Sequence, residues 1–417
     1  MANGLTPSEG FLVPEVVAMP NGLRLVHIQD SNSRVGTAGV CVRAGSADEA
    51  DDEYGIAHFV EHTIFKGTGT LKASEIIHRM EDVGGELNAY TTSEATVVYS
   101  TFPAEYAARA FELIADLVTD SRFPHAELVK EKRVVLDELN SYLDSPADAI
   151  FDDFEDLVFA GCGYGHNILG TRKSVRSFRS ANCLSFVDRF YRAPNMVAFY
   201  CGPASAEDVV AVAGRFFAGL NPEPVTTTRT LTKVAPRFDK RRFLPLHQAH
   251  VLLGAVVDTP TPQWRYAAAL FANIIGGPGM NSLLNVELRE RRGLVYNVEA
   301  SNTFLNGGKC LLTVYFGCDE ADLPECRSLC AKVFADLASI PEADLAAARS
   351  QFLGQRTIAV ENRESRIISA ARSTLFHGSP ESDEAVRRGI LAVSREDLAA
   401  LSRQMLNCSS LNFLPKK

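Results

Sequence analysis

The 417-residue chain contains no uninterrupted apolar run of the roughly 18 residues that a membrane-spanning helix needs. Met1 to Pro20 holds no basic residue and no long apolar segment, so it lacks the marks of a secretory signal or an Arg-rich presequence. A basic stripe is missing too: the net charge is -9, with acids and bases interspersed, which leaves phosphate backbones nothing to dock on. Neither a membrane nor a nucleic acid is an expected partner. The nine cysteines include no Cys-x-x-Cys pair; Cys326 and Cys330 stand one helical turn apart, but no second Cys or His pair follows at zinc-finger spacing. They read as reduced, mostly buried thiols. These absences lead to the expectation of a cytoplasmic protein, although a mature form stripped of its presequence would look the same. What is present is enough apolar material, 46% of residues, for two or three domains with real cores.

The order of elements repeats. Each half opens with β-rich sequence, Leu23 to Gln29 and Gly36 to Ala44 in the first and Phe243 to Val257 in the second. A long helical pattern follows, Tyr54 to Lys66 or Trp264 to Ile275, ending at Gly67 or at Gly276-Gly277. An amphipathic helix comes next (Ala73 to Val83, Asn281 to Arg291), then a strand pair (Glu86 to Phe102, Val295 to Phe316). Helices and a last apolar strand close each half, at Met196 to Cys201 and Leu411 to Leu414. The expected fold is α+β: a duplicated unit of about 200 residues, each copy a mostly antiparallel sheet packed with helices. The expected boundaries are 1–221 and 236–417, joined by a Pro- and Thr-rich linker at 222–235.

Residues 58 to 62 read His-Phe-Val-Glu-His. On a helix His58 and His62 lie one turn apart and face the same way, the geometry two imidazoles need to hold one tetrahedral zinc. Glu61 stands on nearly the same face, placed to take a proton from a metal-bound water. The bland alternative is a core helix with two hydrogen-bonded histidines. Catalytic zinc wants a third protein ligand, and the helical stretch Glu127 to Asp144 offers two, Glu131 and Glu138, seven residues apart on one stripe. Leu128, Val134, Val135, Leu139 and Tyr142 mark its buried side. By helix reading alone both glutamates are equally well solvated surface charges.

The sequence His58-Phe59-Val60-Glu61-His62, with Glu138 after a further 138 − 62 = 76 positions, resembles the inverted zinc motif of the pitrilysin/insulinase peptidases, among them the mitochondrial processing peptidase. The likeness runs from about Asn21 to the C-terminus. It includes Phe65-Lys66-Gly67-Thr68, Gly84-Gly85, Asn88-Ala89, Thr91, Glu131 and Asp144-Ser145-Pro146, then Gly276-Gly277-Pro278-Gly279-Met280, Leu288-Arg289-Glu290 and Gly293-Leu294-Val295-Tyr296. The glycine run is shorter than the glycine-rich loop of the processing peptidase's noncatalytic subunit, so presequence-type specificity does not carry over.

The resemblance implies one zinc ion per chain held by His58, His62 and Glu138, with Glu61 as general base and Glu131 orienting a ligating histidine. It implies an edge strand at Asn88 and Ala89 that pairs with an extended peptide substrate, and Phe65 in the apolar pocket after the scissile bond. It also implies that Arg289 and Tyr296 hold a substrate carbonyl and its oxyanion. On sequence alone these residues read otherwise: Arg289 in the charged end of a solvated helix, Tyr296 as a strand-face aromatic, Asn88 as a turn former.

No His-x-x-Glu-His occurs in the second half, which therefore reads as an inactive copy. The chain is about half the length of single-chain insulinase-like members, so the resemblance implies half of a clamshell, completed by a second copy in a homodimer. Two other readings share parts of the pattern. A noncatalytic core-type subunit would have the fold but lack ligands, and a small-molecule lyase with an inverted motif would take cysteine as third ligand on a much shorter chain.

Overall fold

The computed structural model describes residues 12–226 and 233–416. Its contacts fall into two compact units, one made of Met1–Leu136, Ile168–Thr227 and Ala359–Ser382, the other of Asp137–Asn167, Thr228–Ile358 and Asp383–Lys417.

In the first unit β1 (Glu15–Ala18), β2 (Arg24–Gln29), β3 (Val35–Val42), β4 (Glu86–Thr91), β5 (Thr96–Pro103) and β6 (Met196–Gly202) build one sheet in the order β1-β2-β6-β3-β5-β4. β2 and β6 run parallel; the other pairs are antiparallel. The unbroken apolar run of β6 reflects its place inside the sheet, where every residue is buried. In the second unit β7 (Asp239–Leu244), β8 (Ala249–Asp258), β9 (Val295–Leu305), β10 (Lys309–Cys318) and β11 (Ser409–Pro415) follow the order β7-β11-β8-β10-β9. Here too one pair, β7 with β11, is parallel and the rest are antiparallel. β2, β6, β3, β5 and β4 thus have β7, β11, β8, β10 and β9 as counterparts, and β1 is an addition to the first copy. The duplication expected from element order is present strand for strand.

Among the helices are α1 (Ile56–Ile64), α2 (His125–Leu143), α3 (Pro146–Val158), α4 (Pro262–Gly276) and α5 (Arg363–His377). On one face of the first sheet Leu25, Ala38, Val40 and Val98 share a core with Ile56, Phe59, Val60 and Ile64 of α1. The Phe59 ring is fully buried, 5.3 Å from that of Phe178, and truncating it to Ala would cost about 3–5 kcal/mol. On the other face Val26, Ile28, Val97 and Phe199 meet Ile367, Ala371 and Leu375 of α5. The second sheet has its own core against α4, built from Val251, Leu253, Leu312 and Val314 with Ala268, Leu270, Phe271 and Ile275. α3 packs on β8 and β11. A Cβ at Gly254 of β8 would lie 2.6 Å from the Phe154 ring of α3, so glycine is required there for the helix to approach.

The exchange of α3 and α5 corrects the contiguous partition at 221 and 236. Residues 137–167 leave the first half of the sequence to cover the second sheet, and 359–382 make the reciprocal move. Of the expected linker 222–235, residues 227–232 lie outside the described residues. The β-rich stretch Phe243 to Val257 holds the end of β7 and most of β8, parted where Pro245 has no N–H to donate and Leu246 turns back on Leu244. Two local expectations change. Asn281 to Arg291 contains a π-helical turn at Asn285–Glu290. Val134 is 49% exposed, while Leu128, Val135 and Leu139 are buried as expected.

Candidate metal centre

α1 begins in an unusual way. Its N-cap, Gly55, has φ 94, and a Cβ there would lie 2.7 Å from the Leu169 carbonyl and 2.8 Å from the Gly170 Cα. A glycine has no side chain with which to cap the helix. The buried carboxylate of Glu49 does so instead, accepting from the Gly55 N–H at 2.7 Å and the Ala57 N–H at 2.8 Å. Those two donors are among the ones a helix start leaves open, and a negative charge there also complements the helix dipole. Glu49 therefore fixes the first turn one residue before His58. Sequence reasoning missed it, because it sits among Asp48, Asp51, Asp52 and Glu53 and reads as one more solvated acid; its only signal was position, a few residues before the helix.

The α1 pattern then places His58 and His62 side by side, with ring centroids 4.5 Å apart and planes at 61°. His58 is buried and His62 partly exposed. Burial pushes His58 down to about 3, and the neighbouring His62 adds to the shift. A histidine held neutral keeps a ring lone pair available to a metal. On α2 the stripe of Glu131 and Glu138 separates into two roles. A ligand nitrogen from each of His58 and His62 and a carboxylate oxygen of Glu138 all lie within 4.8 Å of one another. Glu131, buried, places Oε1 3.2 Å from His62 Nδ1 and Oε2 3.0 Å from Lys66 Nζ. Glu138 is thereby the exposed carboxylate of the cluster and Glu131 the one behind a histidine. Two imidazoles and a carboxylate form a donor set that suits a tetrahedral zinc with one open position.

Glu61 is partly buried on the same helix, between the two histidines in sequence. Phe65 caps the C-terminal end of α1 and packs partly buried against the first core. Asn88 and Ala89 lie on β4, paired with Tyr99 and Val98 of β5. β4 is the last strand of its sheet and packs against α1, so its outer edge has no strand neighbour among the described residues. In the second unit Arg289 sits on the π-helical turn with its guanidinium 5.9 Å from the centre of the Tyr296 ring. Tyr296 is 87% exposed. The pair is therefore together, and Arg289 also makes a loose ion pair, 3.7 Å, with Glu290.

The family model described as insulinase, peptidase family M16, matches residues 24–172, and the one described as peptidase M16 inactive domain matches residues 178–352. A protein of Mycobacterium tuberculosis named an uncharacterized zinc protease is 32% identical over 95% of this chain and 91% of its own length. A Bacillus subtilis protein of the same description is 29% identical over 92% of this chain and 94% of its own. Among solved structures, one described as a peptidase M16 inactive domain from Pseudomonas fluorescens superposes with TM-score 0.87 at 20% identity, covering 97% of this chain and 99% of that one. A protease from Helicobacter pylori gives TM-score 0.86 at 20% identity, covering 97% and 100%.

Proposed function

Since the chain belongs to the insulinase-type peptidase family M16, as one of its small two-domain members, we propose that it is a zinc-dependent endopeptidase acting on peptides or unfolded segments bound as an extended strand. The observation that carries the reading is the convergence of His58, His62 and Glu138 donors within 4.8 Å. Zinc, when bound there, supplies Lewis acidity that makes a water acidic near neutral pH and polarises a peptide carbonyl.

The rest is the work of the chain. Glu61 takes the proton of the attacking water and returns it to the leaving amine. Glu131 accepts from His62 Nδ1–H, which leaves Nε2 as the ligand nitrogen. The free edge of β4 at Asn88 and Ala89 offers backbone groups to the substrate strand, binding that is indifferent to most side chains. Phe65 lines the apolar pocket next to the scissile bond. Arg289 and Tyr296, supplied by the second copy of a homodimer, hold the substrate carbonyl as it becomes an oxyanion. The nine cysteines, none in a disulfide and seven of them buried, suit a reducing cytoplasm.

Two measurements test this together: metal content of the purified protein, and mass spectrometry of the products from a peptide library with and without a zinc chelator. One zinc per chain and chelator-sensitive internal cleavage are expected. A protein without metal, or with metal and no cleavage of any peptide, would point to a noncatalytic subunit of the same fold.

A further inference from the structure

Glu131 is nearly enclosed, and each of its oxygens has one partner: Oε1 faces His62 Nδ1 at 3.2 Å, Oε2 faces Lys66 Nζ at 3.0 Å. We propose that Lys66 is a positioning residue for the metal centre, holding the Glu131 carboxylate in the rotation that fixes His62 as an Nε2 ligand. The inference rests on the reading of His62 as a ligand given above.

The backbone around Lys66 is built to hold a side chain in place. α1 stops at Ile64, and the Lys66 N–H turns back to Thr63 O at 3.1 Å. The next residue, Gly67, adopts φ 143, which an L side chain rarely adopts. Its carbonyl accepts from Arg122 N–H at 3.0 Å, and Thr68 bridges to Ser121. Ser121, Arg122 and Pro124 lead directly into α2, the helix of Glu131. The end of the histidine helix and the start of the glutamate helix are therefore pinned together within a few residues of both partners, and the Lys66–Glu131 distance is set by main-chain bonds. A carboxylate bonded only to His62 is free to rotate about its last torsion; the ammonium on the second oxygen removes that freedom. The ion pair is also largely shielded from solvent, with side-chain exposures of 26% for Lys66 and 10% for Glu131.

The test compares wild type, Lys66→Met, Lys66→Arg, Glu131→Gln and the Lys66→Met/Glu131→Gln double variant. Zinc affinity is measured by chelator competition. The His62 tautomer is read by imidazole ¹⁵N shifts in metal-free protein. Lys66→Met is expected to bind zinc about 10-fold more weakly, in the range typical for groups behind a ligand, and to lose the uniform Nδ1–H form of His62. Lys66→Arg should recover both, and the double variant should be no weaker than Glu131→Gln alone. Should Lys66→Met fail to fold, Lys66→Gln is read in its place. A folded neutral variant that keeps wild-type zinc affinity and the Nδ1–H tautomer would overturn the proposal, as would additive losses in the double variant. A wild-type chain that binds no zinc would overturn the reading of the centre instead, and the metal-free tautomer would still decide the role of Lys66.

Discussion

The two sheets share one topology, yet the helices that follow β3 and β8 are built for different tasks. Aligned on the glycines that follow them, Gly67 and Gly277, α1 and α4 are offset by 277 − 67 = 210 positions. His58, Glu61 and His62 then correspond to Ala268, Phe271 and Ala272, all three buried in the second core. α4 also starts in the ordinary way, with Thr261 at the cap and Pro262 in the first turn. α1 starts at a left-handed glycine capped by a buried carboxylate. The second copy shows what the scaffold needs at these positions, which is small and apolar packing. The first copy differs there in two ways: a buried imidazole that burial keeps neutral, and a helix start held by Glu49. The comparison implies that the proposed metal centre is separable from the fold.

The largest effect expected from that comparison comes from giving α1 the residues of α4. His58→Ala combined with His62→Ala should abolish zinc binding and reduce hydrolysis to background. The metal-free fold should survive with an unchanged or higher melting temperature, because a buried imidazole is replaced by the alanine its counterpart already uses. Metal analysis, peptide assay and calorimetry on one preparation suffice. Collapse of the fold would mean that the first copy depends on its histidines for packing, and the separation would not hold.

A finer cut divides the residues of the centre from one another. Glu61→Gln should retain zinc while turnover falls on the order of 10²–10⁴-fold, since only the proton carrier is removed. Glu138→Gln should lose metal and turnover together, a neutral amide being a poor ligand. Full zinc occupancy in the second variant would transfer the ligand role to Glu131.

Much of this was legible before any coordinates. The His58 and His62 spacing, the glycine stops and the alternation of strands are local signals, and local signals follow directly from helix and strand periods. Helix reading alone did not separate Glu131 from Glu138, which share a stripe on α2; the resemblance named Glu138 as third ligand, an assignment that stays a proposal, and the packing of α1 shows Glu131 beside His62. Glu49 was hidden among its acidic neighbours. The exchange of α3 and α5 was invisible for a different reason: an amphipathic helix records that it covers something, and not which sheet it covers. Arg289 and Tyr296 remain a proposal, since what they face in an assembly is not encoded in their own unit.

That proposal is open to a complementation experiment of intermediate size. Glu61→Gln and Arg289→Ala homodimers should each be nearly inactive. In mixed dimers the Arg289→Ala chain has an intact metal centre and the Glu61→Gln chain an intact arginine, so one site per dimer is complete. Activity should rise above either parent once subunit exchange is confirmed by mass. A rate that stays at the parental level would sink the shared site and leave the metal centre standing.

The smallest effect compares the exchanged helices themselves. α5 lays Ile367, Ala371 and Leu375 on the first sheet, and α3 likewise buries Ala149, Ile150, Phe154 and Val158, but α3 also carries Asp148, Asp152, Asp153, Glu155 and Asp156. Burial pushes Asp152 up to about 7; the Tyr142 hydroxyl pulls the other way, and Asp156, Asp153 and Asp148 add to the rise. Glu155 is also pushed up to about 7 by burial, then by Asp152 and Asp156. In the unfolded chain these carboxyls titrate near 4. Between about 4 and about 7 the folded form binds protons more tightly than the unfolded one, so they subtract from stability as pH rises through that window and no further above it. Asp152→Asn keeps the shape and removes the charge. It should raise stability by about 1–2 kcal/mol at pH 8, a melting shift of roughly 2–4 °C for a domain this large. The gain should shrink toward zero near pH 4, where the carboxyl is becoming protonated in both states. Paired melting curves of variant and wild type across pH 4–8 isolate this residue from other titrations. A gain that does not vary with pH would assign the effect to packing, and a loss at pH 8 would mean that the ionised carboxylate is needed by its neighbours on α3.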